Sequence, residues 1–168
     1  MKKLLERMIE KNHEFIIDIF NEYHKKNPNS KLLLVGIGPL FENVKEKINN
    51  LKMNNSVILL GQRSDTANLY QAMDIFLLPS LYEGLPLVGV EAQAVGLKCF
   101  FSDVITKEVN ISDNVTYIPL KDSASEWAEQ ILNANLTNRK SVDASKFDIK
   151  ENAKRLEEIY SKLMKKSR

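Results

Sequence analysis

Between Asp74 and Gly96 the chain passes from the apolar run Ile75-Phe76-Leu77-Leu78, through Pro79-Ser80 and a Glu83-Gly84 loop, into a segment whose one charge is Glu91. A short, continuous apolar run predicts a strand covered on both faces. Pro86 suits the first turn of a following helix and Gly96 its stop. A strand, loop and helix in this order aim backbone N–H groups out of the strand's carboxyl end, where they can hold an anion. The donors are expected from Gly84, Leu85, Leu87 and Val88, because Pro86 has no N–H. Glu91 is the only charged residue among the thirteen from Gly84 to Gly96. It is expected to be buried on the helix and therefore to need a partner, since an unpaired buried carboxylate is costly. Sugar or ribose hydroxyls would satisfy it.

The rest of the chain repeats the alternation of strand-like and helix-like segments, the pattern of a parallel α/β sheet. Ile16, Ile19, Phe20 and Tyr23 recur at helical spacing, predicting an amphipathic helix over 12–26 with Asn12 as its cap. Asn27-Pro28-Asn29-Ser30 ends it. Strands are expected at 31–35, 56–60, 74–78, 98–102 and 115–118. Between them, one helix carries Leu40, Val44, Ile48 and Leu51, and a short one capped by Asp65 carries Leu69 and Tyr70. Ser123 or Ser125 opens a helix with Trp127, Ile131 and Leu132. The last helix, over 149–165, sets Ala153, Leu156, Tyr160, Leu163 and Met164 on one face. One doubly wound domain over residues 1–168 is the expectation.

Composition narrows the chemistry. A net charge of +2 in 168 residues, with no basic stretch interleaved with aromatics, argues against nucleic acid. The single cysteine, Cys99, excludes an intramolecular disulfide and favours a reducing compartment. No apolar run approaches a membrane span and no secretory leader is visible, so a cytoplasmic protein is expected. His13 and His24 lack Cys or carboxylate neighbours at metal spacing and read as surface residues. Gly36-Ile37-Gly38-Pro39 does not complete a dinucleotide fingerprint.

Glu83 and Glu91, eight positions apart behind Asp74-Ile75-Phe76-Leu77-Leu78-Pro79-Ser80, resemble the Glu-x7-Glu signature of family 4 glycosyltransferases. Within that family the likeness is to the capsular and exopolysaccharide branch, over roughly residues 11 to 163. The resemblance implies one Rossmann-like half of a GT-B enzyme, the carboxyl-terminal domain that binds the nucleotide sugar. It implies a retaining transfer from a donor, expected to be a UDP-sugar, to a polysaccharide or lipid-linked acceptor, with no metal ion or other cofactor. Glu83 would be the catalytic carboxylate beside the donor sugar. Glu91 would accept hydrogen bonds from the ribose, and the amides of Gly84, Leu85, Leu87 and Val88 would meet the diphosphate. Lys11 would neutralise the departing diphosphate, a role that suits a fixed cation. Gly36 and the main chain around Arg63 would lie near the nucleotide.

The resemblance fails at the amino terminus. The family's domain opens with a strand ending in Gly-Arg ahead of a Lys-Asn pair. Here Lys11-Asn12 is present, but Glu6 stands where Gly is expected and Arg7 is one residue too close. In the family order 3-2-1-4-5-6 that first strand is central, beside the switch point where such sheets bind ligands. Either residues 2–8 supply a degenerate first strand or the flanking strands adjust around its absence. An amino-terminal acceptor domain or a partner subunit would then be needed, with the parent enzyme peripheral at the membrane. Two other readings stay open: a non-catalytic module that folds without nucleotide, and another GT-B enzyme such as a sugar-nucleotide epimerase.

Overall fold

The structure is a computed structural model that describes residues 11–137 and 139–166. Its elements are α1 (His13–Lys26), β1 (Leu32–Val35), α2 (Phe41–Asn50), β2 (Val57–Gly61), α3 (Thr66–Ala72), β3 (Ile75–Leu78), α4 (Leu87–Ala94), β4 (Lys98–Ser102), β5 (Val115–Ile118), α5 (Ala124–Leu132) and α6 (Ile149–Lys166). Two short 3-10 turns lie at Lys107–Val109 and Ser145–Phe147. Strand and helix alternate as the hydrophobic pattern requires, and every strand pairing is parallel.

The sheet is divided. β2 pairs with β1, and β3, β4 and β5 pair in that order, but among the described residues no strand joins β1 to β3. Every residue of β1 and of β3 lines a cavity of about 830 Å³ between the two parts. This is the position that the family's first strand would occupy. Residues 2–8, suggested above as a degenerate version of it, lie outside the described residues. Among the described residues β3 is less covered than the sequence predicts. Ile75, Phe76 and Leu77 are only half-buried, because each faces the cavity.

Helix α1 spans the division. Ile16, Ile17 and Phe20 pack with Leu34, Val44, Ile48, Met53 and Val57. From an adjoining row, Ile19 joins Phe100, Ile118, Trp127 and Ile131, with Phe15 and Tyr23 against the same cluster. The Phe15 and Trp127 rings meet edge to face at 5.8 Å, and the Trp127 indole N–H donates to the Pro119 carbonyl at 3.1 Å. Asn12 does not cap α1 with its side chain: it takes a left-handed backbone, and its Nδ2 donates to the Pro79 carbonyl. That amide is used to tie α1 to the end of β3. Nor is His24 merely on the surface. Its two ring nitrogens lie 3.0 Å from the hydroxyls of Ser30 and Ser56, on the turns that enter β1 and β2.

Beyond β3, the third core cluster gathers Tyr70, Leu78, Val90, Leu97, Cys99, Phe101, Ile105 and Val109. Gln93 is fully buried at its edge. Its Nε2 donates to the carbonyls of Gly89 and Val109, and its Oε1 accepts from the Ile111 and Ser112 amides and the Ser112 hydroxyl. A buried amide this fully satisfied fixes the loop after β4. Ser123 opens α5 through a reciprocal capping box with Glu126. Ala153, Leu156 and Tyr160 are exposed, as is Met164, since α6 packs chiefly on the short turn before it rather than on the sheet.

Helix α4 ends as the sequence predicts. The Gly96 amide donates to Gln93 and the Leu97 amide to Ala92, the paired bonds of a Schellman stop. Gly96 has φ +80°, and a Cβ there would sit 2.5 Å from the Lys140 carbonyl oxygen. Arg139 fastens the same segment, donating to the carbonyls of Tyr70, Met73 and Val95 at the ends of α3 and α4. Left-handed backbone costs an L-residue about 1–2 kcal/mol before any clash is counted. Gly96→Ala is therefore expected to destabilise the domain by at least about 2 kcal/mol, lowering Tm by roughly 4–8 °C in a calorimetric scan. An unchanged Tm would mean that 139–140 does not lie against the end of α4.

Candidate functional site

Ser80, just beyond β3, is fully buried. Its carbonyl accepts from the Ser102 hydroxyl at 2.6 Å, which binds the ends of β3 and β4 together. Its own hydroxyl donates to Glu83 Oε1 at 3.0 Å. Lys11 Nζ reaches that same oxygen at 3.3 Å, with the Glu83 side chain 15% exposed and that of Lys11 33%. The chain thus joins residues 72 positions apart at the carboxyl end of β3. Asn12, anchored on Pro79, holds Lys11 there. Because Lys11 neutralises Glu83, an anionic ligand can approach without facing an unopposed carboxylate.

The loop then enters α4. Pro86 is the extended residue before the helix, and its carbonyl accepts from the amides of Gly89 and Val90. Leu87 and Val88 open the first turn, where backbone N–H groups have no intrahelical acceptor. The side chains of Leu85 and Leu87 are exposed, so main chain rather than side chain is what this turn offers an anion. Gly84 has no positive φ, and a Cβ there would meet nothing within 4 Å. Gly89 is different: a Cβ would lie 2.9 Å from the Phe101 ring, so its lack of side chain lets α4 lie close on β4.

Glu91 corrects the expectation of a buried carboxylate. It is exposed, on the side of α4 that faces α3 rather than the sheet, where Gly89, Val90, Ala92 and Gln93 are buried. Its partner is the Tyr70 hydroxyl, which donates to Oε2 at 3.2 Å. The Tyr70 ring is buried and stands edge to face with Phe76. Burial pushes its phenol above the ordinary range, and the Glu91 charge adds to the shift.

At the ends of β1 and β2, Gly36 has φ +132° and Gly61 φ +63°, and the Gly36 amide donates to the Gly61 carbonyl at 2.8 Å. No Cβ is excluded at Gly36 by neighbours; its backbone conformation is what calls for glycine. The Arg63 guanidinium makes two bonds to Asp65, at 2.8 and 2.6 Å. Asp65, expected to cap α3, spends its side chain on Arg63 and makes no cap bond. With that side chain engaged, the main chain near Arg63 is what remains to meet a ligand.

The structure therefore brings Lys11 and Glu83 into contact, sets Glu91 in a separate pair with Tyr70, and leaves Arg63 with Asp65. Ser80 and Tyr70 were not singled out from the sequence. Ser80 stands three residues before Glu83, the spacing of a capping pair, and could have been found. Tyr70 lies 21 positions from Glu91 and gave no local signal. Among the described residues no group of three or more His, Cys, Asp or Glu side chains is placed to hold a metal ion. No helix among them is long and apolar enough to cross a membrane.

The sequence profile of the Glycosyl transferases group 1 family matches residues 5–156. EpsF of Bacillus subtilis is 38% identical over 130 residues, 77% of this chain and 34% of EpsF. The Escherichia coli UDP-Gal:α-D-GlcNAc-diphosphoundecaprenol α-1,3-galactosyltransferase is 40% identical over 78 residues, 46% of this chain and 20% of that protein. A crystal structure of an S. aureus TarM mutant, in complex with fondaparinux, α-GlcNAc-glycerol and UDP, superimposes with a TM-score of 0.70 at 20% identity. It covers 77% of this chain and 26% of TarM. The chain spans about a third or less of the length of each of these proteins.

Two buried acids make the fold sensitive to alkali. Burial pushes the Cys99 thiol up to about 12 and holds the Tyr70 phenol above its ordinary 10. Both ionise more readily once unfolded, so their stabilisation is complete below pH of about 9 and is lost as pH rises toward the folded values. Denaturant unfolding is expected to show stability falling above that point, by at most about 1.4 kcal/mol per pH unit for each group. In the Tyr70→Phe/Cys99→Ser variant the fall should largely vanish. An equal fall in both proteins would contradict the burial of these groups.

Proposed function

The chain belongs to the Glycosyl transferases group 1 family, and from that membership we propose that residues 1–168 form the donor domain of a retaining, UDP-sugar-dependent glycosyltransferase. The observation that carries the reading is the Lys11–Glu83 pair beside the first turn of α4, at the carboxyl end of the sheet. A nucleoside diphosphate needs a cation and unpaired N–H donors on its phosphates, acceptors on its ribose, and a carboxylate near the sugar. Lys11 and the amides of Leu87 and Val88, with those of Gly84 and Leu85 ahead of them, would take the phosphates. Glu91 would take the ribose. Glu83 would orient the sugar, while Gly36 and the main chain at Arg63 would border the base. As the sugar–phosphate bond breaks, negative charge gathers on the leaving diphosphate, and Lys11 would shift from Glu83 to that charge. No metal ion is needed in this scheme, because lysine and amides carry the electrostatic load.

The acceptor would be a polysaccharide or a lipid-linked sugar, as the naming of the Escherichia coli relative suggests. It would reach Glu83 from an amino-terminal domain or a partner subunit. Ile37, Leu81, Tyr82, Leu85 and Leu87 are exposed large hydrophobic side chains on the loops after β1 and β3 and at the start of α4, a surface suited to being covered. Without that half the chain is expected to bind nucleotide weakly and not to turn over, since positioning of the acceptor is lost. The parent enzyme would work in the cytoplasm, at the membrane surface if its acceptor is a lipid. The departure at Glu6-Arg7, where the family's Gly-Arg is expected, favours a second reading, a module that folds without binding nucleotide.

Calorimetric titration with UDP and GDP separates the two. The donor reading expects one nucleotide to bind with millimolar or tighter Kd. Lys11→Ala should weaken it at least tenfold, the scale of a lost charged hydrogen bond of about 1.5–3 kcal/mol. A folded chain that binds neither nucleotide would overturn the donor reading.

A further inference from the structure

Among the described residues the Tyr70 hydroxyl is the side-chain hydrogen-bond partner of Glu91 from another element, and its geometry is that of a fixed donor. The ring is buried and held against Phe76. The carbonyl of the same residue is gripped by Arg139 at 2.8 Å, so neither backbone nor ring can drift. Glu91, by contrast, is an exposed side chain with several rotatable bonds. Left alone it would sample many rotamers and lose that freedom on binding a ligand. The Tyr70 bond occupies Oε2 at 3.2 Å and leaves Oε1 open to a second donor. A carboxylate pinned through one oxygen and open at the other suits a pair of neighbouring hydroxyls.

We propose that Tyr70 is a positioning residue that holds the Glu91 carboxylate ready for the vicinal diol of a nucleotide ribose, and so sets the preference for ribose over sugars lacking those hydroxyls. This rests on the donor-site reading above. Tyr70 touches no ligand; it acts through Glu91. Its position on α3, 21 residues before Glu91, gives the short helix a task that its packing alone does not require, because phenylalanine would fill the same apolar space.

The test is a calorimetric comparison of UDP with 2′,3′-dideoxy-UDP on the chain, on Tyr70→Phe, on Glu91→Gln and on the double variant. Tyr70→Phe is expected to weaken UDP about three- to tenfold and to leave dideoxy-UDP unchanged. Glu91→Gln should abolish the preference between the two ligands, and adding Tyr70→Phe to it should change nothing further. A structural role would weaken both ligands equally, and that result, or an unchanged UDP affinity in Tyr70→Phe, overturns the proposal. Thermal melts report whether each variant folds. If Tyr70→Phe does not, the ligand preference of Glu91→Gln decides: a preference retained there overturns the assignment. Failure of UDP to bind the unaltered chain overturns the donor reading itself and this inference with it. Binding without ribose preference overturns only the inference.

Discussion

Helix α1 holds this domain together. Among the described residues no strand joins β1 to β3, so no backbone ladder links the two parts there. Two adjoining rows on α1 replace that link with side-chain packing. Ile16, Ile17 and Phe20 go to the core under β1 and β2. Ile19, with Phe15 and Tyr23 beside it, goes to the core under β4, β5 and α5. At about 25 cal/mol per Å² of buried apolar surface, such rows are the largest favourable term available to join the two parts. The start of the same helix then places the site, since Asn12 binds Pro79 and Lys11 binds Glu83. Packing and the proposed site therefore share one element.

What the site requires is local order at the carboxyl ends of the strands, and several small devices supply it. Ser102 ties the end of β4 to Ser80. Gly89 lets α4 close on Phe101, and Gln93 fixes the loop beyond β4 from inside. Together they leave the first turn of α4 facing outward between two carboxylates that have different partners. Glu83 is paired with a cation and Glu91 with a phenol. In the proposed site, Lys11 neutralises one carboxylate where a phosphate would come close, while the other has a neutral partner.

Much of the architecture was legible in the sequence because local chemistry decides it. The runs 98–102 and 115–118 became β4 and β5 with the expected bounds, and Gly96 and Ser123 stop and start helices as their residue types demand. The family signature pointed to the carboxyl end of β3, where Lys11 and Glu83 meet. What was not legible depends on long-range geometry. Glu91 sits in an apolar segment and so looked buried, yet a helix places consecutive residues 100° apart, and its position faces α3 instead of the sheet. The partner of Glu91 lies 21 positions away on another helix, so composition gave no sign of Tyr70. Asn12 and Asp65 had the right residue type for capping, but Pro79, far off in sequence, and Arg63, two residues away, took their side chains. Ala153, Leu156, Tyr160 and Met164 share one face of α6 as expected, and the structure leaves them exposed.

The central claim is that the carboxyl ends of β1 and β3 and the first turn of α4 form one nucleotide site. A titration of the ¹⁵N-labelled chain with UDP, followed by two-dimensional NMR, tests it most directly. The account predicts that the amide signals of Gly36, Arg63, Gly84, Leu85, Leu87 and Val88 shift together with a single affinity, while those of α5 and α6 stay in place. Shifts confined to other elements, or none in a folded chain at millimolar UDP, would contradict it.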